Sequence, residues 1–380
     1  MKRKKIGIFT GYFLPHLGGV ERYVDKISAS LIKLGYEIVI ITSNDDNLLS
    51  YEQVEQRTVY RLPILNIAKK RYPIPKVNSE YKAIISKIED EKIDYFILNT
   101  RFHLTSLIGA RIGKRLGKPV MLIEHGTDHF TVGNKVLDIF GAIYEHVLTS
   151  VIKRSVDKFY GVSKSCNIWS EHFSIKSSGV FYNAVSAKDR ETVKDYYLQK
   201  YISEAIIITY AGRLIKEKGI LNLIEAFMKL PKGLNTKLVI AGDGDQLAFI
   251  KKNYNQKNID VLGRLDFDHV MSLYKRTDIF VYPSLYPEGL PTSILEAGLM
   301  GCAIIATPRG GTEEVIIDDQ HGIIVDGSVE SLTHAIRSLI DDKSDRKSKS
   351  KKILNRILSH FDWDMVAQEV DREIKGLKRA

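Results

Sequence analysis

The amino-acid sequence predicts an α/β protein made of two doubly wound domains, and three observations lead to this prediction. Apolar runs of strand length alternate with amphipathic runs of helix length along most of the chain. The alternation stops in a charged stretch at 186–204 and then resumes. A length of 380 residues suits two domains of ordinary size. We therefore expect domains at 1–185 and 186–360, and a final helix at 361–380 that crosses back to the first domain.

The first domain opens with a strand–helix–strand unit. A strand is predicted at 6–9, a helix at 20–34 and a second strand at 37–42. Gly18 and Gly19 lie at the turn into the helix, where a backbone without side chains can approach a ligand closely. A plain tight turn is the alternative. Later strands are predicted at 95–98, 120–124, 159–162 and 179–182, with a basic, amphipathic helix at 104–116.

His125 directly follows the predicted strand at 120–124. Ligands of doubly wound proteins bind outside the carboxyl ends of the strands, so His125 is a candidate site residue. The alternative is a structural histidine whose ring is satisfied by backbone groups.

The second domain repeats the pattern from residue 205 onward. Gly212 and Arg213 follow its first strand, and Lys218 and Gly219 lead into its first helix. We expect the stretch at 343–352, rich in Lys, Ser and Arg, to form an exposed helix face. The strands are predicted at 205–211, 238–241, 259–262, 278–282, 303–306 and 323–325.

The stretch at 282–298 leaves a buried strand and enters an apolar helix. Pro291 suits the first helical position, which places Leu290 at the cap. A leucine side chain cannot accept hydrogen bonds from the N–H groups at a helix start. An anion would satisfy these groups and interact favourably with the helix dipole. This stretch therefore predicts an anion site.

Two carboxylates, Glu288 and Glu296, flank this candidate anion site. Carboxylates repel phosphate but accept hydrogen bonds from hydroxyl groups. A ligand that carries both kinds of group resolves the conflict, and a nucleotide-sugar is such a ligand because its diphosphate lies between two sugars. The alternative is a capped helix with two solvated acids.

The net charge of +10 is concentrated in one half of the chain. Residues 1–185 hold 27 Lys and Arg against 18 Asp and Glu, a net charge of +9. Residues 186–380 hold 29 against 28, a net charge of +1. We infer a large anionic partner for the first domain. A membrane surface is favoured, nucleic acid is the runner-up, and simple solubility is the alternative without a partner.

Two segments of the first domain favour a membrane surface. Lys69, Lys70 and Arg71 stand beside Tyr72, an aromatic residue suited to a headgroup layer. The helix at 104–116 is both basic and amphipathic, although such helices more often pack on a core.

We expect a cytoplasmic protein that is peripheral on the inner face of the cytoplasmic membrane. No run approaches the roughly 18 apolar residues of a span. The apolar run after the basic start is too short for a signal peptide. The two cysteines, Cys166 and Cys302, match neither a metal-site spacing nor a disulfide framework, which is typical of a reducing compartment.

A set of short motifs resembles the retaining glycosyltransferases of family 4, which have the GT-B architecture. Each motif alone is weak to moderate, but their order and spacing across essentially the whole chain are specific. The motifs are Gly18-Gly19-Val20-Glu21, His125-Gly126, Gly212-Arg213, Lys218-Gly219, Gly242-Asp243-Gly244, Gly263-Arg264 and the pair Glu288 and Glu296. The resemblance implies two Rossmann-like domains facing each other across a cleft, the first for the acceptor and the second for the nucleotide-sugar.

The resemblance also implies a role for each site residue. Arg213 and Lys218 would hold the donor diphosphate and stabilise the charge that develops on the leaving group. Glu288 would bind hydroxyls of the donor sugar, Glu296 those of the ribose, and His125 would lie near the transferred sugar. The further positions implied in donor binding are Gly18, Gly19, Gly263, Arg264, Gly289 and Leu290.

The implied activity is transfer of a hexose-type sugar from a nucleoside-diphosphate-sugar, with UDP favoured over GDP or dTDP, to a saccharide or lipid-linked acceptor. The implied pathway is the synthesis of cell-surface polysaccharide or glycolipid. No cofactor and no metal are expected, and no protein nucleophile is required, because the leaving phosphate helps to deprotonate the acceptor. A nucleotide-sugar epimerase and a basic nucleic-acid binder are the alternatives. A dinucleotide oxidoreductase is disfavoured because neither domain opens with the three-glycine fingerprint.

Two positions depart from the family pattern. Ser186 stands where the family often has the aspartate of Asn-Gly-Val-Asp, so the contact made by that aspartate is not carried over. The run Asp243-Gly244-Asp245 spells the metal-binding acidic triplet of the other glycosyltransferase fold. Because it follows a strand and matches the family's Gly-Asp-Gly turn, we interpret it as structural.

Overall fold

The structure is a computed structural model that describes residues 3–16, 18–45, 47–65, 72–131, 134–197, 200–201, 205–254 and 258–377. The chain divides into two compact units. Unit 1 comprises Met1–Asn183 and Trp363–Ala380, and unit 2 comprises Ala184–Asp362. The predicted boundaries lie two residues from these, after residue 185 and after residue 360. The predicted basic segment at Lys69, Lys70 and Arg71 lies outside the described residues.

Unit 1 is built on a largely parallel sheet with helices between the strands. Its strands are β1 (Lys5–Phe9), β2 (Glu37–Asn44), β3 (Tyr51–Val54), β4 (Arg57–Leu65), β5 (Ile74–Pro75), β6 (Tyr95–Asn99), β7 (Val120–Glu124), β8 (Lys158–Gly161) and β9 (Gly179–Val180). Its helices before residue 184 are α1 (Gly19–Lys33), α2 (Ser79–Asp90), α3 (Leu104–Arg115), α4 (Lys135–Ile152) and α5 (Lys164–Glu171).

The strand order of unit 1 is β3-β4-β2-β1-β6-β7-β8-β9, with β5 paired to β4. The pairs are parallel except those that β4 makes with β3 and β5. Successive residues of β2, such as Val39, Ile40 and Ile41, are all buried, as expected of a strand covered on both faces. The order reverses between β1 and β6, which places the ligand crevice of this sheet at their carboxyl ends.

Unit 2 repeats this plan with a fully parallel sheet. Its strands are β10 (Ile206–Ala211), β11 (Thr236–Ala241), β12 (Ile259–Gly263), β13 (Ile279–Tyr282), β14 (Ala303–Ala306) and β15 (Ile323–Ile324). Its helices are α6 (Ala187–Thr192), α7 (Ile220–Met228), α8 (Leu247–Tyr254), α9 (Phe267–Lys275), α10 (Thr292–Met300), α11 (Thr312–Val315), α12 (Val329–Asp341) and α13 (Lys343–His360).

The strand order of unit 2 is β12-β11-β10-β13-β14-β15. It reverses between β10 and β13, so the loops after these two strands border the crevice of this sheet. Helix α7 packs against α12, and α10 packs against α9 and α13. Each predicted strand of both units is confirmed, with ends within two residues of the prediction.

The prediction of an exposed face at 343–352 is wrong for two of its cations. Arg346 and Lys349 are buried on α13, with 7% and 8% of their surface exposed. Arg346 donates hydrogen bonds to the carbonyls of Leu339 and Ile340 at the end of α12, and Lys349 donates to the carbonyl of Asp319. Carbonyl groups at a helix end attract cations, which explains how the end of α12 holds Arg346, and Lys349 also pairs with Asp345 at 3.1 Å.

The C-terminal helix α14 (Trp363–Gly376) belongs to unit 1, where it packs on α1. Its buried face consists of Trp363, Val366, Ala367, Val370 and Ile374. Ion pairs frame this face, among them Lys33–Asp364 at 2.9 Å and Lys158–Glu373 at 2.6 Å. Among the described residues, no helix combines the length and the apolar character that crossing a bilayer requires.

Candidate active site

The loops after β10 and β13 bring Lys218 and Glu288 into contact at the point where the strand order of unit 2 reverses. Both side chains are largely buried, with 7% and 14% of the side-chain surface exposed. Burial lowers the pKa of Lys218, and the carboxylate of Glu288 opposes that shift. The site therefore holds a buried ion pair at the place where a doubly wound sheet binds its ligand.

Two hydroxyl groups complete the cluster around Glu288. Tyr282 and Ser284 each donate a hydrogen bond of 2.8 Å to Oε1 of Glu288. Lys218 donates to the same oxygen and also lies 3.2 Å from the Tyr282 hydroxyl. Tyr282 and Ser284 are residues that sequence reasoning missed, although they stand within six residues of Glu288 at the end of a predicted strand.

Arg213 shares an aromatic face with Lys218. The Arg213 guanidinium carbon lies 5.4 Å from the centre of the Tyr286 ring, and Lys218 Nζ lies 5.1 Å from it. The Tyr210 hydroxyl donates a 2.8 Å hydrogen bond to the Arg213 carbonyl and so holds this loop. The structure thus brings the two predicted cations to one tyrosine, which cation–π attraction favours.

Glycines with a positive φ hold the loops of this site close together. Gly219 has φ +69°, and a Cβ there would overlap the carbonyl of Pro283 in the loop that carries Glu288. A Cβ on Gly310, at φ +56°, would overlap the carbonyl of Glu288 itself. Gly311 N–H donates a 2.7 Å hydrogen bond to the Gly289 carbonyl. The loop after β14 therefore supports Glu288, a contribution that sequence reasoning missed.

The Gly242-Asp243-Gly244 turn packs against the loop after β10. A Cβ on Gly242 would overlap the carbonyl of Gly212, and one on Gly244 would crowd the carbonyl of Leu214. The Asp243 carbonyl accepts a 2.8 Å hydrogen bond from Leu214 N–H. These contacts support the structural interpretation of the acidic run that begins at Asp243.

The start of α10 differs by one residue from the prediction. Pro291 is the cap, because its ψ of 112° is extended, and the helix begins at Thr292. The expectation of a start without a side-chain cap holds among the described residues. Glu296 lies on α10 with 7% of its surface exposed, and Leu290 is buried before it. A nearly buried carboxylate thus follows a helix start that is suited to an anion.

Gly263 and Arg264 lie at the carboxyl end of β12, two strands away from β10. Gly263 has φ +79°, and its carbonyl accepts a 2.8 Å hydrogen bond from Gly242 N–H. Arg264 is exposed. The other predicted residues of unit 2 lie on the loops after β10 and β13 or on α10, so Gly263 and Arg264 form the outlying part of the predicted donor site.

Gly18 and Gly19 lie at the start of α1 in unit 1, with Gly18 at the cap position. A Cβ on Gly18 would overlap the Glu21 carboxylate, whereas a Cβ on Gly19 would meet open space. Burial raises the pKa of Glu21, and hydrogen bonds from backbone N–H groups oppose that shift. Glu21 stands three residues after the cap residue Gly18, which is the position of the glutamate in a capping box. Sequence reasoning missed this signal.

His125 follows β7 in unit 1, as predicted. Its Nε2 lies 3.0 Å from Oδ1 of Asn99, which belongs to β6, and the Tyr23 ring packs edge-on at 4.8 Å. Burial lowers the pKa of His125 to about 3, with a smaller contribution from His103. Burial also lowers the pKa of His103 to about 4. His125 is therefore neutral at pH 7, and it can hydrogen-bond a ligand without adding charge.

The loop that carries His125 is tied to the sheet by Glu124. The carboxylate oxygen Oε1 of Glu124 accepts hydrogen bonds from His125 N–H at 2.9 Å and from Gly126 N–H at 3.0 Å. Gly18, Gly19 and His125 thus belong to unit 1, and the other predicted site residues belong to unit 2.

Comparison with protein families gives two matches that together span most of the chain. Residues 17–188 match the model described as Glycosyltransferase Family 4. Residues 199–356 match the model described as Glycosyl transferases group 1.

Individual relatives agree with these family matches. An uncharacterized glycosyltransferase of Methanocaldococcus jannaschii is 30% identical over 394 residues, which cover 99% of this chain and all of that protein. The GPI3 subunit of the Saccharomyces cerevisiae phosphatidylinositol N-acetylglucosaminyltransferase is 25% identical, over 96% of this chain and 81% of its own. The crystal structure of Anabaena HepE in complex with UDP-glucose superposes with a TM-score of 0.76 at 18% identity, over 98% of this chain and all of that one. The chain belongs to the family 4 glycosyltransferases and has the GT-B architecture.

Proposed function

We propose that this glycosyltransferase moves a hexose-type sugar, with retention of configuration, from a UDP-sugar to a hydroxyl of a lipid-linked acceptor. It would act peripherally at a membrane surface in the synthesis of cell-surface polysaccharide or glycolipid. No metal and no cofactor take part in the proposed reaction.

The observation that carries the donor half of the proposal is the Lys218–Glu288 pair beside α10. Lys218 and Arg213 supply positive charge where a diphosphate leaving group gains negative charge. Glu288 offers a carboxylate to the sugar hydroxyls, and Glu296 offers one to the ribose hydroxyls. UDP is favoured because HepE, which has the same fold, binds UDP-glucose. The transfer itself needs a nearby phosphate oxygen to take the acceptor proton, and no protein nucleophile.

Donor choice is tested by thermal shift of the whole protein with UDP-, GDP- and dTDP-sugars. A UDP-sugar should raise the melting temperature most, because only a ligand that binds the folded state stabilises it. The anomeric configuration of the product, read by NMR, tests retention. Preference for another nucleotide or an inverted product would contradict the corresponding part of the proposal.

Glu296→Ala should weaken UDP-sugar binding about ten-fold or more, because a hydrogen bond to a buried charge contributes about 1.5–3 kcal/mol. Isothermal titration calorimetry measures this change. Glu313→Ala is the control, since Glu313 is exposed in the first turn of the next helix, α11. Equal donor affinities of Glu296→Ala and Glu313→Ala would show that Glu296 does not bind the donor.

The acceptor half of the proposal rests on an exposed apolar face of α4. Val136, Phe140, Ile143 and Val147 follow helical spacing, and each has more than half of its surface exposed. A cavity of about 450 Å³ adjoins this face and is lined by apolar and aromatic side chains, among them Phe102, Phe130, Leu137, Phe140 and Tyr144. Apolar patches of this kind mark interaction sites for lipids or proteins.

A lipid is the favoured partner of this face for two reasons. Unit 1 corresponds to the acceptor domain of the family and carries the positive charge of the chain, which suits anionic headgroups. The yeast relative carries phosphatidylinositol, a lipid, in its name. The basic helix α3 contributes less than its sequence indicates. Arg115 pairs with Glu89, and Lys114 donates to a backbone carbonyl.

Vesicle sedimentation tests membrane binding. Anionic vesicles should pull the protein down at low salt, and high salt should reduce binding. The triple change Phe140→Ser, Ile143→Ser and Val147→Ser should abolish sedimentation, as should Lys69→Glu, Lys70→Glu and Arg71→Glu together. The control for lost apolar surface is Phe249→Ser with Ile317→Ser, two exposed positions in unit 2.

Protein that stays in the supernatant with anionic vesicles at low ionic strength would contradict membrane binding. A soluble saccharide acceptor would then be the alternative.

A further inference from the structure

We propose that His129, His146 and His172 form a binding site for a zinc-type divalent cation, beside the apolar cavity that Glu145 and Phe130 help to line. Each of the three histidines has one ring nitrogen that lies within 4.8 Å of a ring nitrogen of both others. These residues come from three parts of unit 1: the loop after β7, helix α4 and the end of α5. Neither the motifs of the chain nor the proposed transfer reaction involves them.

The spacing of the three rings suits a metal ion. Nε2 of His146 and Nε2 of His172 lie 3.1 Å apart. Two nitrogens that share a tetrahedral zinc ion at about 2.0–2.1 Å lie roughly 3.3 Å apart. His146 and His172 are exposed, so their rings can rotate to close the longer distances to His129. Three histidines leave a fourth position for water, as in open zinc sites.

Histidines that bind a metal typically donate their other ring N–H to a carboxylate, and Glu145 is placed to accept it from His129. Its Oε2 lies 3.1 Å from Nδ1 of His129, and its Oε1 accepts a 2.7 Å hydrogen bond from Phe130 N–H. Glu145 is buried, with 2% of its side chain exposed. In the proposed site Glu145 accepts the Nδ1–H of His129, and Nε2 of the same ring binds the ion.

Buried charges lie beneath the histidines. Arg101 is buried and pairs with two buried carboxylates, Glu145 at 2.9 Å and Glu124 at 3.4 Å. One guanidinium and two carboxylates leave a net charge of −1 next to His129. The ammonium group of Lys153 donates to the carbonyl of Phe173. Glu145 would therefore stabilise an ion at the His129 side of the site, whereas Arg101 opposes it at the His146 side.

The proposed ion would fasten the loop that carries His125. Glu124 holds His125 and Gly126 at one end of this loop, and Glu145 holds His129 and Phe130 further along it. A metal bond from His129 to α4 and α5 would therefore stiffen the segment 125–130. The ion would hold this loop in place, and this role does not depend on the proposed function.

Zinc is the favoured ion because imidazole suits borderline divalent metals, whereas calcium and magnesium prefer oxygen ligands. The test uses the full chain after treatment with a chelator. Titration with Zn²⁺ should give one bound ion per chain with a micromolar or lower Kd. Titration with Co²⁺ should give the visible absorption of a four- or five-coordinate site. Titration with Mg²⁺ should show no binding.

His146→Ala and His172→Ala should each weaken Zn²⁺ binding at least ten-fold, and the double variant should abolish the Co²⁺ spectrum. Both side chains are exposed, so the metal-free variants should melt at the wild-type temperature. The control is His269→Ala, since His269 is exposed in unit 2 and pairs with Asp266. Hydrogen exchange should show that Zn²⁺ protects amides at 125–130 in the wild type and not in the double variant.

Three results would overturn the proposal. The first is Zn²⁺ binding at millimolar concentration only. The second is equal affinity of the wild type and the His146→Ala, His172→Ala double variant. The third is a Co²⁺ spectrum that remains octahedral, because a surface histidine pair without the third ring gives that spectrum.

Discussion

Lys218 and Glu288 place opposite charges side by side in a largely buried position, so each depends on the other. Glu288→Gln should destabilise unit 2 by about 3 kcal/mol, because it leaves the ammonium group without a counter-charge. The double variant Lys218→Met, Glu288→Gln should recover most of this loss and still lack transferase activity. Urea unfolding measures the stabilities. If the double variant is as unstable as Glu288→Gln, the unpaired charge on Lys218 is not the cause of the lost stability.

The two cations at Tyr286 should matter more for turnover than for donor binding. Arg213→Ala and Lys218→Ala each remove positive charge that meets the leaving diphosphate, whose negative charge grows in the transition state. We expect kcat to fall about 100-fold and the apparent donor constant to rise much less. Steady-state kinetics with a UDP-sugar measures both. An unchanged kcat with a raised donor constant would make these residues binding groups only.

The lowered pKa values of His103 and His125 predict that the protein loses stability in mild acid. Their folded pKa values of about 4 and about 3 lie below the ordinary value of 6.5. The unfolded chain therefore binds more protons between these values, and stability falls as the pH drops from about 6.5 toward 4. His103→Gln and His125→Gln should each flatten the dependence of the melting temperature on pH. If the melting temperature of both variants depends on pH as steeply as that of the wild type, other titrating groups cause the dependence.

At the scale of elements, the loop after β14 supports the loop that carries Glu288. Gly310→Ala places a methyl group against the Glu288 carbonyl at a positive φ, so it should lower both stability and donor affinity. Gly233→Ala is the matched control. Gly233 has φ +93° and open space around it, so alanine there should cost about 1 kcal/mol and leave donor binding unchanged. Calorimetry with a UDP-sugar compares the donor affinities of the two variants. Equal affinities would show that the contact between Gly310 and the Glu288 carbonyl does not support donor binding.

Helix ends and irregular strands are the elements that the sequence predicted least well. Helix α10 begins one residue later than predicted. Proline suits both the cap and the first helical position, and the extended ψ of Pro291 makes it the cap. Strand β4 was not predicted, since it contains Arg57, Arg61 and Pro63 among its apolar residues. Both arginines are buried, and ion pairs with Asp25 and Glu52 together with hydrogen bonds to Ser28 and to the Leu14 carbonyl compensate their charge.

At the scale of the whole molecule, the last helix returns to unit 1 and completes its packing. Val370→Ala on α14 removes fully buried methyl groups and should destabilise unit 1 by about 2 kcal/mol. Hydrogen exchange should show faster exchange within 1–183 and little change within 184–362. Met365→Ala is the control on the same helix, since 41% of Met365 is exposed. Faster exchange confined to 184–362 would contradict the assignment of α14 to unit 1.

The two-domain α/β plan, most of its strands and the positions of the motifs were predictable from the sequence. Strand and helix periodicities are local properties of the chain, so they can be read without knowing what packs against them. The same holds for His125, which needs only to follow a strand, and for Glu288, which needs only to precede a helix start.

Which side chains come into contact could be seen only in the folded chain. Tyr282, Ser284 and Lys218 converge on one oxygen of Glu288, and Lys218 is 70 residues away from it along the chain. His129, His146 and His172 likewise come together from one loop and two helices. Such contacts depend on strand order, on glycine approaches between loops and on how buried charges are paired. These are properties of the packed chain, and no short stretch of sequence encodes them.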